Sequence, residues 1–404
     1  MNPTFLSGFL VFQLIVFTLI ALPTLYIFIF ALAGIFFRQK AYPEKPAIRK
    51  IAILIPGYKE DDVILEVAHD ALNQDYPHNQ YDVVIIADSF QPETIEKLKM
   101  LPIVVIEVKF DKSTKSKALN KAMEQLHNSY EIAVVLDADN VMAVDFLTKV
   151  NATFERNFMA VQGHRAAKNM DTTLAILDAA SEEINNHIFR KGHRVLGLSS
   201  AIIGSGMAFK YDFFKNLMSK VTAIGGFDKE IELKMLRNRH KIDYLHDAIV
   251  YDEKVQKAEV FSNQRRRWLS AQLHYFRQDI GSSVKDLLLH GNIDYFDKAI
   301  QFIQPPRILL LGLVIITGIA FPLANYFIGA ANLYSMIWFA VVILCILAFL
   351  FSIPLSFYNL RTLKALASLP KGMLLMLGSL LKIRGANKQF IHTKHSAVKS
   401  SKKV

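Results

Sequence analysis

From Phe5 to Phe37 the chain carries no charged residue. A helix needs roughly 20 apolar residues to cross a bilayer, so this run predicts one tilted span, kinked at Pro23. Two shorter spans are the alternative. The run is too long, and its start too poor in Lys and Arg, for a cleaved signal peptide. From Ile51 the pattern changes to short apolar runs alternating with amphipathic ones. Ile51 to Pro56, Asp82 to Ala87, Ile103 to Val108 and Ile132 to Leu136 read as strands. Between them, helices are predicted from Asp61 or Asp62 to about Gln74, from Glu93 to Met100 and from Lys115 to Leu126. Strands and helices alternating at this spacing predict an α/β domain, with a largely parallel sheet and helices on both faces.

The next stretch is less regular. Thr172 to Arg190, Lys229 to Asn238 and Gln264 to Ile280 read as helices, and Lys241 to Tyr251 as a strand. Ile202 to Phe209 reads as a strand interrupted by Gly204-Ser205-Gly206, where a ligand or backbone can approach closely. Val284 to Ile303 has the mixed pattern of an amphipathic helix at a membrane surface, ended by Pro305-Pro306. Ile308 to Ile328 and Leu333 to Leu355 are long and apolar enough to span. Leu363 to Ile383 is expected to skim the surface, and the end of the chain to be disordered. The expected organisation is a span and its basic flank in 1–47, a catalytic domain in 48–280 and an interfacial helix in 281–306. Two spans in 307–358 and a basic, partly helical tail in 359–404 complete it.

Charge orients these segments. The 404 residues carry a net charge of +11, which taken alone would admit nucleic acid. The basic residues instead flank the apolar runs, at Arg38, Lys40, Lys45, Arg49 and Lys50 and again from Arg361 to Lys403. Lys and Arg in that position are held near anionic lipid and mark the cytoplasmic side. A multi-pass protein follows, with its N-terminus outside and its α/β domain in the cytoplasm, at a bacterial inner membrane. Cys345 is the only cysteine, which excludes an intrachain disulfide and a Cys-based zinc site.

The candidate chemistry centres on Asp137-Ala138-Asp139-Asn140, where an apolar strand stops in two acids. Alternate residues of an extended chain share a face, and open α/β sheets bind ligands at their strand ends. Two carboxylates there suit Mg²⁺ or Mn²⁺ and, through the metal, a diphosphate. A D-x-D alone is as often a helix cap. Four further features accompany it: Pro56-Gly57-Tyr58-Lys59-Glu60 after the first strand, Asp88 after the second, Asp228-Lys229-Glu230-Ile231-Glu232-Leu233 opening a late helix, and Gln264-Arg265-Arg266-Arg267-Trp268. The lysines that open the helix at Lys115 sit at the wrong end for the helix dipole, which points to another use for them.

Together and in this order, these features resemble the inverting glycosyltransferases of family 2. They resemble in particular the membrane-embedded, often processive branch that includes cellulose, chitin and hyaluronan synthases. The resemblance covers roughly residues 50 to 280. It implies a GT-A fold, a nucleoside-diphosphate sugar donor of the UDP type, Mg²⁺ or Mn²⁺, and a β-linked product on a polysaccharide or lipid-linked acceptor. It places Asp88, Tyr58 and Glu60 at the nucleoside, and Asp137 and Asp139 at diphosphate and metal, with Asp139 the more direct ligand. Lys115 and Lys117 would add positive charge there. Gln264, Arg267 and Trp268 would meet acceptor and diphosphate, and Gly204-Ser205-Gly206 would border the acceptor pocket. The proton of the attacking hydroxyl needs a carboxylate. Where that family usually has Asp, this chain aligns Glu230, with Asp228 as the competitor and helix-start acids as the bland reading. Ser116 likewise stands where relatives often have Gly or Pro. Arg265 and Arg266 are read as interfacial. His164-Arg165, His246-Asp247 and Tyr251-Asp252 are further cleft candidates, and no His pair has zinc spacing. A second membrane subunit could complete an export channel. The alternative functions are a non-catalytic, membrane-anchored nucleotide-sugar-binding protein and, more weakly, a transporter, whose spans would need buried charges that these lack.

Overall fold

The computed structural model describes residues 3–126, 129–223 and 225–383. The end of the tail expected to be disordered lies outside the described residues. Helix α1 (Pro3–Ile35) runs unbroken through Pro23, so the apolar run forms one helix and not two shorter ones. At 1.5 Å per residue its 33 residues reach about 50 Å, well beyond a hydrocarbon core of about 30 Å. The surplus is used as a packing surface. Ile20, Ile27, Phe30 and Ala31 are buried against Leu310 and Val314 of α12 (Arg307–Ile328) and Trp338, Val341 and Cys345 of α13 (Asn332–Ser352). The same cluster takes in Ile184 and Ile188 of the α/β domain, so the long apolar helices and the domain share one core.

That domain is an eight-stranded mixed sheet of order β3-β2-β1-β4-β7-β6-β8-β5. The parallel half is the one read from the sequence: β1 (Ile51–Tyr58), β2 (Tyr81–Asp88), β3 (Val104–Val108) and β4 (Ile132–Val135). Their crossovers carry α2 (Ile64–Ala71), α3 (Pro92–Lys99) and α4 (Lys115–Gln125). Each strand here is apolar on both faces because helices cover both. The two cores lie on either side of the sheet, around Ile53, Ile85 and Val134 on one face and Leu54, Val84 and Val135 on the other.

The second half was harder to read. β5 (Val141–Met142), α5 (Phe146–Thr153) and β6 (Ala160–Ala167) were not foreseen. β6 hides because its buried residues include Gln162, His164 and Arg165, which break any apolar pattern. Gln162 Nε2 compensates by donating to the carbonyls of Ser205 (2.9 Å) and Gly206 (3.0 Å). The strand expected over 202–209 contracts to β7 (Met207–Lys210), since Gly204 and Gly206 take φ of +79° and +61°, outside the extended region. β7 runs antiparallel to both neighbours, while β8 (Ile242–Asp252) returns parallel to β6. α6 (Thr173–Asn185) continues through a π-helical turn, Asn186–Gly192, into α7 (His193–Val195). α8 (Tyr211–Met218) and α9 (Phe227–Arg237) follow β7.

Three expectations about the late helices change. α10 (Ala258–His290) is one continuous helix, extending ten residues past the predicted end at Ile280. The amphipathic segment 284–303 is split between it and α11 (Ile293–Ile303), because Gly291 closes α10 in the left-handed conformation, φ +66°. In α11, Tyr295 and Phe302 are buried against Leu233, Leu236, Ala271 and Tyr275, while Ile293 and Ile303 stay exposed on the other side. Each buried side chain contributes about 1.5–3 kcal/mol of burial. The predicted surface helix over 363–383 is two helices, α14 (Leu360–Leu366) and α15 (Leu369–Leu381), meeting at 51°.

The seam between α1 and the domain is tight. His193 stacks on Phe30 with ring centroids 3.7 Å apart, and Tyr26 donates a hydrogen bond of 2.7 Å to Asp297 of α11. A Cβ at Gly192 would collide with the carbonyl oxygen of Phe30, a backbone atom that cannot swing away. Gly192→Ala is therefore expected to cost about 1–3 kcal/mol or more. In detergent its unfolding midpoint should fall by several degrees; an unchanged midpoint would mean that α1 does not lie on this surface.

Candidate active site

The parallel strands end together and deliver their acids to one hollow. Tyr58 and Asp88 close β1 and β2 as register partners. Asp88 is buried, with Ser89 Oγ donating to its Oδ1 at 2.9 Å. Gly57 beside them has no room for a side chain, because Phe90 fills that space. With Glu60, these residues line a cavity of about 280 Å³ that continues to Lys115, Asp137 and Asp139. Thr114 caps α4 by accepting from Lys117 N at 3.2 Å, which fixes the start of the helix. Lys115 Nζ then reaches Asp137 Oδ1 at 2.5 Å and the Gly204 carbonyl at 2.7 Å. Lys117 turns away and donates to Lys112 O at 3.0 Å. Ser116, the departure from Gly or Pro, is buried and bonds Ala223 O at 2.9 Å, tying α4 to the loop before α9.

The Asp137–Asn140 turn is locked from below. Asn140 Nδ2 donates to Asp139 Oδ1 and to Asp252 Oδ1, both at 3.2 Å. Ser205 Oγ bonds Asn140 Oδ1 and accepts from Asp137 N at 3.2 Å. Ser205 is fully buried, so its side chain serves this turn, while Gly204 alone of the three-residue stretch faces a cavity. Asp252, at the end of β8, completes the group: carboxylate oxygens of Asp137, Asp139 and Asp252 all lie within 4.8 Å of one another. Three hard oxygen donors from two strand ends, braced by an amide, fit Mg²⁺ or Mn²⁺. Burial pushes the Asp252 carboxyl up, but Arg165 at 3.6 Å and Lys254 at 2.8 Å more than offset this and hold it below its usual range. It is ready as an anion.

The third contribution comes from α10. Gln264, Arg267 and Trp268 line the same cavity as Asp139, though more than 120 residues away in sequence. Burial pushes the Arg267 guanidinium down, as expected of a cation set in a cleft short of water. Gln264 Oε1 is buried without a hydrogen-bond partner among the described residues, an acceptor left for a ligand. Arg265 is not interfacial: it pairs with Asp178 of α6 and lies 4.4 Å over the Trp268 ring, holding the indole in place.

A second cavity of about 350 Å³ adjoins the first and shares Lys115, Asp137, Arg267 and Trp268 with it. Its far wall is α9 and α11. Residues 228 and 232 of a helix share a face and residue 230 does not. Accordingly Asp228 and Glu232 line this cavity, and Glu230 is absent from both linings. Glu230 instead pairs with Lys234 at 3.2 Å. A Cβ on Gly204 would touch the Asp228 carboxyl carbon at 3.8 Å, so Asp228 lies one residue's width from Lys115. Burial pushes the Glu232 carboxyl up against the opposing pull of Lys298, 2.7 Å away on α11.

Sequence reasoning named Asp252 and Arg165 only as cleft candidates and missed Asn140, Glu182 and Lys254. Asp252 obeyed the rule that singled out Asp137, an acid closing a strand. Of the other cleft candidates, His164 and His246 lie outside these linings and pack on each other and Tyr244.

A profile described as "Glycosyltransferase like family 2" matches residues 46–271. Beta-monoglucosyldiacylglycerol synthase of Trichormus variabilis is 26% identical over 256 residues, 59% of this chain and 53% of the relative. The probable glycosyltransferase YdaM of Bacillus subtilis is 24% identical over 230 residues, 54% of each chain. The chain spans about half the length of these curated relatives. Among solved structures, the mannosyltransferase PcManGT of Pyrobaculum calidifontis, in complex with GDP-Man and Mn²⁺, superposes with a TM-score of 0.51 at 17% identity. That match covers 84% of this chain and 98% of the other, and at such identity it speaks for the fold, which is GT-A. With a profile match over more than half its length and a sheet of the matching architecture, the chain belongs to glycosyltransferase family 2.

Proposed function

We propose that this glycosyltransferase moves a sugar from a nucleoside diphosphate, of the UDP type, to a hydroxyl of a membrane lipid, with inversion to a β-linkage. The observation that carries the reading is the pair of joined cavities. One holds the strand-end acids with Gln264, Arg267 and Trp268, and the other presents Asp228. Asp88, Tyr58 and Glu60 would hold the nucleoside, and Lys115 and Arg267 the diphosphate. A divalent cation would sit on Asp137, Asp139 and Asp252 and neutralise the charge of the leaving diphosphate. Asp228 would take the proton of the attacking hydroxyl, in place of Glu230. Trp268 at the junction would present a flat apolar face to a sugar ring.

The acceptor end favours a neutral hydroxyl over a lipid phosphate. Its cations are already matched by acids: Lys298 with Glu232 at 2.7 Å, Lys229 with Asp228 at 3.6 Å and Arg190 with Glu182 at 3.2 Å. A phosphate would meet carboxylates there, whereas a hydroxyl finds both donors and acceptors. The similarity to enzymes named for β-monoglucosyldiacylglycerol supports a lipid acceptor and single transfer over a growing polysaccharide. Three helices are long and apolar enough to cross a membrane. With basic flanks on the domain side, they support a site at the cytoplasmic face of a bacterial inner membrane.

The test is a donor screen on purified membranes, reading nucleotide release with Mg²⁺ and then Mn²⁺, with and without added diacylglycerol. Release that depends on the lipid, with one sugar per lipid by mass spectrometry, is expected. A ladder of sugars would replace this reading with the processive one, and release with no donor tested would end both.

A further inference from the structure

A third hollow belongs to neither substrate cavity. It measures about 570 Å³, within the range of roughly 300–1,000 Å³ that small ligands occupy. One wall is α6 with the ends of β6 and β8; the other is the segment from Ser356 to Thr362, which leaves the third membrane helix only a few residues after its end at Ser352. Its mouth therefore opens at the depth where that helix leaves the hydrocarbon. The lining is that of an amphiphile's site. Met170, Ile176, Ala179, Phe357 and Leu360 give apolar surface, Arg361 gives a cation, and the one acid, Glu183, already meets His164 at 3.1 Å. Arg361 makes no ion pair among the described residues. Residues 353–383 contain Arg361, Lys364, Lys371 and Lys382 and no acid at all. Such a segment is drawn to anionic lipid, by about 1 kcal/mol for each basic residue near the surface.

The hollow stands back to back with the catalytic site and shares its walls. On α6, Asp178 and Glu182 face the donor cavity while their neighbours Ala179 and Glu183 face this one. On the strands, Arg165 and Asp252 face the acid cluster, while Ala166 and Tyr251, paired across β6 and β8, face the hollow. The elements that it touches thus anchor Arg165, Arg265 and Asp252 on the other side.

We propose that this hollow binds one anionic phospholipid, with its phosphate on Arg361 and the upper part of its acyl chains against Phe357, Leu360 and Met170. Occupancy packs α14 against α6 and so steadies the α6 wall of the donor cavity. The proposal rests on the membrane placement given above, but not on the identity of donor or acceptor.

The experiment uses the full chain in nanodiscs of phosphatidylcholine alone or with phosphatidylglycerol. Native mass spectrometry after detergent release reads retained lipid, and titration of UDP with Mn²⁺ reads the donor cavity. Wild type should retain one phosphatidylglycerol, and UDP should bind several-fold more tightly in discs that contain it. Arg361→Gln should lose the retained lipid at least ten-fold and lose the UDP effect, while Lys364→Gln, altering a charge outside the lining, keeps both. Ala179→Phe, which fills the hollow, should match Arg361→Gln at unchanged phosphatidylglycerol content of the disc. Equal losses in Arg361→Gln and Lys364→Gln would reduce the effect to surface charge and overturn the proposal, as would retention of phosphatidylcholine equal to that of phosphatidylglycerol. Lipid retained by the wild type and lost in Arg361→Gln, in a protein that turns over no donor, would sustain the site and defeat only the proposed reaction.

Discussion

Asp139→Ala is expected to lower sugar transfer at least ~1,000-fold, a loss of about 4 kcal/mol of transition-state stabilisation. Three observations converge on it. Asp139 is buried, lies within 4.8 Å of the oxygens of Asp137 and Asp252, and is braced by Asn140. Losing one of three carboxylates removes a third of the oxygen donors and leaves Lys115, Arg165 and Lys254 facing fewer acids, so the site holds a cation less well. Electron paramagnetic resonance of added Mn²⁺ reads this separately from turnover. Bound Mn²⁺ should vanish in Asp139→Ala and weaken in Asp252→Asn. Asp139→Ala protein that binds Mn²⁺ as the wild type does, or transfers sugar at the wild-type rate, would remove the acid cluster from the mechanism.

The second large effect separates two neighbouring acids. Asp228→Asn should reduce kcat by about 10²–10⁴-fold, the range for loss of a general base. Donor KM should hold, because Asp228 lies in the second cavity and not among the residues around Asp88. Glu230→Gln should stay within about tenfold of wild type. Its carboxylate pairs with Lys234 and is buried beside Tyr275 of α10, outside both cavity linings, so its loss removes a structural ion pair and not a group that meets substrate. The reverse ranking, with Glu230→Gln the more damaged, would return the base to the position assigned by motif alignment. It would also mean that α9 turns by about half a turn when substrates bind.

These two variants show what a motif conveys and what it leaves open. D-x-D at the end of an apolar run was readable as a cation site because strand alternation is a property of the local chain. D-K-E-I-E-L was readable as a helix start bearing a base, yet the base itself depends on which face of α9 meets the cavity. That face is set by α10 and α11 packing on Leu233 and Leu236, contacts that no local pattern encodes. Ser205 makes the same point: its sequence neighbours suggested an acceptor wall, and its hydroxyl instead holds Asn140. Likewise Arg265, next to Arg267 in one basic run, became a strut for Trp268 once Asp178 of α6 came beside it.

By itself the sequence determined the three apolar spans, the parallel half of the sheet, and the acids and the Gln-Arg-Trp group that meet there. Each was encoded in a short-range signal: span length, strand period, or residue types at fixed spacing. Only the tertiary structure decided that Asp252 joins Asp137 and Asp139, that Asp228 rather than Glu230 lines the second cavity, and that α11 forms a wall of that cavity. β6 and the antiparallel direction of β7 belong with these, since buried Gln162, His164 and Arg165 of β6 find their partners only across the assembled sheet. Contacts between residues far apart in the chain leave no periodic trace, because their energy arises only when the whole fold brings the two sides together.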